Sequence, residues 1–118
     1  MNEGFLIKIT IEAQKDLISL GDYIAFILGA PDSARGYISA IANEIKKLSD
    51  TAYVYPIIQK ESFLSNQIRK TKLKNYFIYY VVFDDKKEVV IISIIYARRQ
   101  QAKSMSQRIN DVKNNKEL

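Results

Sequence analysis

The sequence predicts an α+β fold: an N-terminal strand, an antiparallel two-helix hairpin packed on an antiparallel β-sheet, and a short C-terminal helix. Three observations carry that prediction. Apolar residues recur at helical spacing from Ala13 to Leu48, interrupted once by the break Gly29-Ala30-Pro31-Asp32-Ser33. Two almost unbroken apolar runs, YFIYYVVF at 76–83 and VVIISIIY at 89–96, are rich in β-branched and aromatic residues. A charged stretch, Asp84 to Glu88, separates those runs as a hairpin loop would. A chain of 118 residues has room for one modest core. It is read as a single domain over 1–118, with the helical hairpin at about 11–50, the sheet core at about 67–97 and a C-terminal helix or tail at about 100–118.

Each element has its own signal. FLIKI at 5–9 reads as the first strand. Thr10 supplies an N-cap oxygen and Glu12 an acid in the first turn, where the helix dipole favours it. Ala13, Leu17, Leu20, Ile24 and Ile27 then form an inner stripe, with Lys15, Asp16, Ser19 and Asp22 assigned mostly to another face. Gly21 costs that helix about 1 kcal/mol relative to alanine without breaking it. Gly29 suits a helix end and Pro31 the first turn of the next helix, whose stripe is Ala34, Ile38, Ile41, Ile45 and Leu48. So short a connection makes the pair an antiparallel hairpin. Residues 51–66, with Pro56, read as a loop holding at most a brief extended piece. Three strands follow: Gln67–Lys74, polar and basic, then Tyr76–Phe83 and Val89–Tyr96. Past Arg99, Met105, Ile109 and Val112 mark one face of a polar helix.

The central strands carry a further message. A strand with one face in water alternates apolar and polar residues, and these two do not. Both faces of the sheet therefore need cover, from the C-terminal helix or from a second protein.

Composition narrows the chemistry. Cysteine and histidine are both absent, which excludes disulfides, thiol nucleophiles, the usual zinc ligands and the commonest general base. No metal or cofactor is implied; Asp84 and Asp85 are read as solvated turn residues. No run reaches the ~18 apolar residues of a membrane span, and the first ten residues lack a basic n-region, so the expected compartment is the cytoplasm, with no membrane partner. The net charge of +5 is unevenly spread: residues 1–58 hold five Lys/Arg against seven Asp/Glu, and residues 59–118 hold thirteen against six. A basic second half fits an anionic partner, nucleic acid first among them.

The candidate site gathers Arg69, Lys70, Lys72 and Lys74 on one strand with Arg98 and Arg99 at the end of another. Strand parity puts Lys70, Lys72 and Lys74 on one face and Arg69 on the other. Tyr76, Tyr79 and Tyr80 read as core rings with hydroxyls at the rim, while Tyr96 stands two residues from Arg98. Cleavage of RNA by its own 2′-hydroxyl needs a base, cations at the phosphate and an acid. Lys72 or Lys74 would be the base, Arg98 and Arg69 the phosphate clamps, and Tyr96 the acid.

The order of these motifs is that of a known group. A13-x-x-D16-L17, D22-Y23-I24, G29-A30-P31-D32-S33-A34, Y37-I38, R69, N75-Y76-F77-I78-Y79-Y80 and V89 through R99 together resemble the RelE/ParE superfamily, over roughly residues 5–100. These are toxins of bacterial type II toxin–antitoxin modules, also called plasmid-stabilisation proteins. The resemblance implies a strand, helical hairpin and antiparallel sheet, neutralised by a cognate antitoxin that supplies cover. It implies one of two targets. RelE-like members cut mRNA on the ribosome, the reading placed first; ParE-like members inhibit DNA gyrase and are not nucleases. On this resemblance Lys72 and Arg98 look like counterparts of the basic catalytic residues and Arg69 like a frequent superfamily arginine. With the reading of the basic cluster, Arg98, Lys72 and Tyr96 are the catalytic candidates, and Arg69, Lys70, Lys74 and Arg99 the nucleic-acid-binding ones. Tyr96 stands where many relatives carry histidine. The tyrosine that the RelE-like branch carries in its C-terminal helix has no counterpart at 101–118.

Overall fold

A computed structural model describes the chain at residues 4–61 and 66–96. Its elements are β1 (Leu6–Ile9), α1 (Ile11–Asp22, continued by a wider turn over Tyr23–Ile27), α2 (Pro31–Thr51), β2 (Ile57–Glu61), β3 (Asn66–Leu73), β4 (Tyr76–Phe83) and β5 (Glu88–Tyr96). The strands form one sheet in the order β1-β5-β4-β3-β2. β2 to β5 pair antiparallel, as expected, but β1 joins β5 in parallel, so the sheet is mixed. A parallel neighbour requires a crossover, and the helical hairpin and the next three strands supply it.

α1 begins as its sequence foretells. Thr10 is extended and buried, and its hydroxyl accepts from the Ala13 N–H at 3.0 Å. At the far end the helix widens: the Leu28 N–H reaches the Tyr23 carbonyl at 3.1 Å, five residues back. That extra residue per turn shifts the stripe. Ile24 is buried as expected, but Ile27 is 71% exposed beside Phe26 and Leu28. Gly29 takes φ +67° in open space, where a side chain would strain the backbone, and the chain turns into α2. A methyl group at Gly21 would meet Ile38 Cδ1 at 3.4 Å, an ordinary contact, so the helix-packing geometry there would tolerate alanine.

Two unequal cores result. Ala13, Ile24, Ala34, Ile41, Ile45 and Leu48 from the helices pack on Tyr76, Ile78, Tyr80, Val89, Ile91 and Ile94. On the opposite face Ile68, Val81, Val90 and Ile92 are at most 1% exposed, with Tyr79 and Phe83 packed against them. Both faces are therefore dry, as the lack of alternation in β4 and β5 requires. The expected C-terminal helix at 100–118 lies outside the described residues.

Three boundaries differ from expectation. The brief extended piece allowed within residues 51–66 is a paired edge strand, β2; it is short and slips register between Ile57 and Gln59, which hides its alternation. β3 ends at Leu73, because Lys74 adopts φ 55° in the two-residue turn to β4. Glu88 belongs to β5 rather than to the hairpin loop: it pairs with Phe83 and its carboxylate meets Lys8 Nζ of β1 at 3.0 Å.

Candidate functional site

β3 divides its cations between the two faces of the sheet. Its pairing places Arg69 opposite Tyr80 and Thr71 opposite Ile78, residues of the helix-side core. Lys70 and Lys72 stand opposite Tyr79 and Phe77, on the other face. Successive side chains alternate, so Arg69 and the two lysines are separated by the sheet itself.

Arg69 is built into the helix-side layer. Its guanidinium donates to the Tyr55 carbonyl at 2.7 Å and lies 5.2 Å from the Tyr53 ring centroid. Next to it, Glu44 of α2 accepts from the Tyr55 hydroxyl at 3.1 Å and from the Thr71 hydroxyl at 3.0 Å. Tyr80, fully buried, donates to the Ala52 carbonyl at 2.8 Å. Burial pushes the Tyr80 hydroxyl up to about 12, outweighing the opposing pull of the Arg69 cation. Together these contacts clamp the segment that leads from α2 into β2.

The lysines on the far face meet rings. Lys70 Nζ lies 4.2 Å and Lys72 Nζ 5.9 Å from the Phe77 centroid, and Lys86 Nζ is 5.8 Å from that of Phe83. The Tyr79 hydroxyl on this face is raised above its usual value by burial. This is a basic rim on aromatic rings around the second apolar core.

Lys74 does not share their face, contrary to parity. The strand has already ended, and the left-handed turn carries its ammonium to the helix side, 4.9 Å from the Tyr37 centroid. Tyr37 of α2 meets Tyr76 edge-on at 5.3 Å, and Tyr76 meets Tyr96 at 5.1 Å with a 36° tilt. One end of the sheet thus carries a row of three rings, Tyr37, Tyr76 and Tyr96, with Lys74 over the first. Of the expected site residues the structure brings Tyr96 and Lys74 to this end, sets Lys70 and Lys72 on the opposite face, and gives Arg69 hydrogen-bonded work elsewhere. Arg98 and Arg99 lie outside the described residues.

Two participants escaped the sequence reading. Tyr37 was legible only as one position in a helical motif. Asp16, assigned to an outer face, turns toward the sheet: its Oδ2 accepts from the Ile94 N–H at 3.0 Å and lies 3.4 Å from the Ser93 hydroxyl. The signal was available, since Asp16 follows buried Ala13 by three residues, close to one helical turn.

The sequence profile described as the ParE toxin of type II toxin–antitoxin system, parDE, matches residues 7–101. The chain belongs to the ParE toxin family. It is a toxin of the RelE/ParE superfamily of type II toxin–antitoxin systems. A sequence comparison with curated proteins gives no match. Solved structures share the fold of this ParE-family chain at low identity. The chromosomal ParDE toxin–antitoxin system of P. aeruginosa is 21% identical, with a TM-score of 0.62 over 82% of this chain and 100% of that one. The RelBE2 toxin–antitoxin complex of Mycobacterium tuberculosis is 19% identical, with a TM-score of 0.56 over 79% and 91%. The isolated E. coli RelE toxin is 17% identical, with a TM-score of 0.50 over 92% and 98%. These likenesses bear out the α+β architecture of an N-terminal strand and two helices on a sheet. Within the described part of this ParE-family chain no helix is long and apolar enough to cross a membrane.

Proposed function

We propose that the chain arrests growth by inhibiting DNA gyrase, that a cognate antitoxin neutralises it, and that the end of β5, running into Arg98 and Arg99, is its working edge. One observation carries the choice of target: Lys72 and Tyr96, one of the two base–acid pairs expected for RNA cleavage, occupy opposite faces of the sheet. The base takes the 2′-hydroxyl proton and the acid serves the leaving oxygen of the same linkage. Both must therefore reach one nucleotide step, which side chains on opposite faces of a sheet are poorly placed to do. The ParE profile is consistent with this reading. The antitoxin is supported by exposed apolar side chains, Phe26 at 77%, Ile27 at 71% and Val54 at 69%, which a partner protein would remove from water.

Ribosome-dependent mRNA cleavage is the second reading, favoured by the row of rings: Lys74 and Tyr96 share the helix side at one end of the sheet and could replace the Lys72–Tyr96 pair. The two readings separate in one experiment. After brief expression without antitoxin, primer extension across abundant messages should find them intact, while purified chain should block supercoiling by gyrase. Cuts phased to ribosomal codons, with gyrase unaffected, would overturn the first reading in favour of the second.

A further inference from the structure

β5 contains an irregularity that decides what its end presents. Tyr79 pairs with Ser93 but the next residue, Tyr80, pairs with Ile91, so Ile92 is an extra residue in β5. Before this bulge the odd-numbered residues Val89 and Ile91 face the helices; after it the even-numbered Ile94 and Tyr96 do. A strand without the extra residue would turn Tyr96 to the opposite face. Bulges re-aim side chains in this way and alter the ladder locally.

A side chain of α1 contacts the strand just past this bulge. β1 covers the outer edge of β5 only from Glu88 to Ile91, and the last backbone bond there runs from the Thr10 N–H to the Ile91 carbonyl at 3.1 Å. The chain then leaves as α1. Just past the bulge, where a longer β1 would have supplied a carbonyl, the Ile94 N–H donates to Asp16 Oδ2 at 3.0 Å. The Ser93 hydroxyl, fully buried, points to the same oxygen at 3.4 Å. A carboxylate accepting a backbone N–H is a charge-assisted bond, roughly twice the strength of a neutral one. Asp16 therefore stands in for the missing strand.

We infer that Asp16 is the positioning residue of the toxin's working edge: by latching the bulged end of β5 it holds Tyr96 on the helix side against Tyr76. The inference rests on the proposal that the end of β5 is the working edge, for either target. Tyr76 provides the receiving surface, and the ring contact at 5.1 Å is the structural readout.

The test uses Asp16→Ala and Asp16→Asn in the full chain, with Arg98→Ala as a reference. In Asp16→Ala, hydrogen exchange at Ile94 should accelerate about tenfold, as loss of one such bond implies, while Val90 keeps its protection. NMR contacts between the Tyr76 and Tyr96 rings should disappear, and growth inhibition should fall by about tenfold or more. Asp16→Asn retains an acceptor oxygen and should restore most of the ring contact and of the growth inhibition. That rescue would not follow from a general loss of packing. Persistence of the Tyr76–Tyr96 contacts and of Ile94 protection in Asp16→Ala would overturn the latch. Loss of those contacts with undiminished growth inhibition, while Arg98→Ala is inactive, would overturn the positioning role. If Arg98→Ala is also fully inhibitory, the reading of β5's end as the working edge is what falls.

Discussion

Arg69 and Lys70 are adjacent in sequence, yet their cations lie on opposite faces of one strand and lead different lives. Arg69 is held by a carbonyl and a ring contributed by the segment after α2, with Glu44, Tyr55 and Thr71 bonded beside it. Lys70 touches only the rings of its own sheet among its described contacts, at 4.2 Å from Phe77 and 6.0 Å from Tyr79. The cations of a basic strand therefore sort by their partners. A guanidinium with a fixed fork of donors can be spent on structure, whereas an ammonium resting on a half-buried ring can exchange that ring for a phosphate. Charge counting cannot make this distinction, because it weights both residues equally.

The greatest loss of stability is expected at the hydrogen-bonded cation, Arg69. Arg69→Ala removes a charge-assisted bond to the Tyr55 carbonyl and the contact with Tyr53, and should cost about 2 kcal/mol of stability. Urea unfolding is the measurement: the midpoint should fall with the slope unchanged. Lys70→Ala, one residue on, is the internal control. Equal shifts for the two variants would mean that Arg69 is as dispensable as its neighbour and that the clamp does not exist.

A smaller effect, about 1 kcal/mol, is expected from Tyr80→Phe, which leaves the Ala52 carbonyl without its donor. This variant also has a pH signature. Tyr80 is held neutral in the fold, up to about 12, against an ordinary value of 10.0. As pH rises past that ordinary value the unfolded chain gives up the proton first and the folded one keeps it, so stability falls. The Tyr80 contribution is complete below about pH 10 and is lost progressively toward pH 12. In Tyr80→Phe the alkaline decline should be shallower, with the remainder shared by Tyr79, whose hydroxyl is also raised. An unchanged alkaline slope would show that Tyr80 does not titrate in this window.

These contrasts also explain what could be read in advance. The helices, their break at Gly29 and the strands at β4 and β5 follow from local periodicity and turn chemistry, which a single sequence displays. The need for two covered faces followed from the lack of alternation, and the two cores bear it out. The site was less legible for a definite reason. Which face a side chain takes depends on registers, and registers are set by events without a residue signature. The bulge at Ile92 sits within an all-aliphatic run, with no glycine or proline to announce it. The left-handed Lys74 ends β3 one residue before the charge pattern does. The widened turn at Tyr23–Ile27 sends Ile27 outward although its spacing fits the stripe. Asp16 reads as polar surface until the shortness of β1 is known, and then it becomes the residue that completes an edge. β2 was legible only as a brief extended piece within a loop, because an edge strand broken by a register slip carries no clear period.

The smallest expected effect on stability belongs to the exposed half of the comparison, and it separates structure from function most cleanly. Lys72 is exposed, with its ammonium 5.9 Å from the Phe77 centroid. Lys72→Ala should therefore change stability by less than about 0.5 kcal/mol, the scale of an exposed surface contact. Its effect on growth inhibition discriminates between the two targets without confusion from unfolding. If gyrase is the target and the working edge is the end of β5, Lys72→Ala should remain a full growth inhibitor while Arg98→Ala does not. If mRNA is cleaved with Lys72 as base, the same substitution should abolish cleavage, and Lys72→Arg should not rescue it, because guanidinium holds its proton at any physiological pH. If Lys74 is the base instead, Lys72→Ala would weaken RNA binding at most, and Lys74→Ala would remove cleavage. A fully inhibitory Lys72→Ala accompanied by ribosome-phased cuts would place the chemistry on the helix side, where Lys74 and Tyr96 stand at one end of the row of rings.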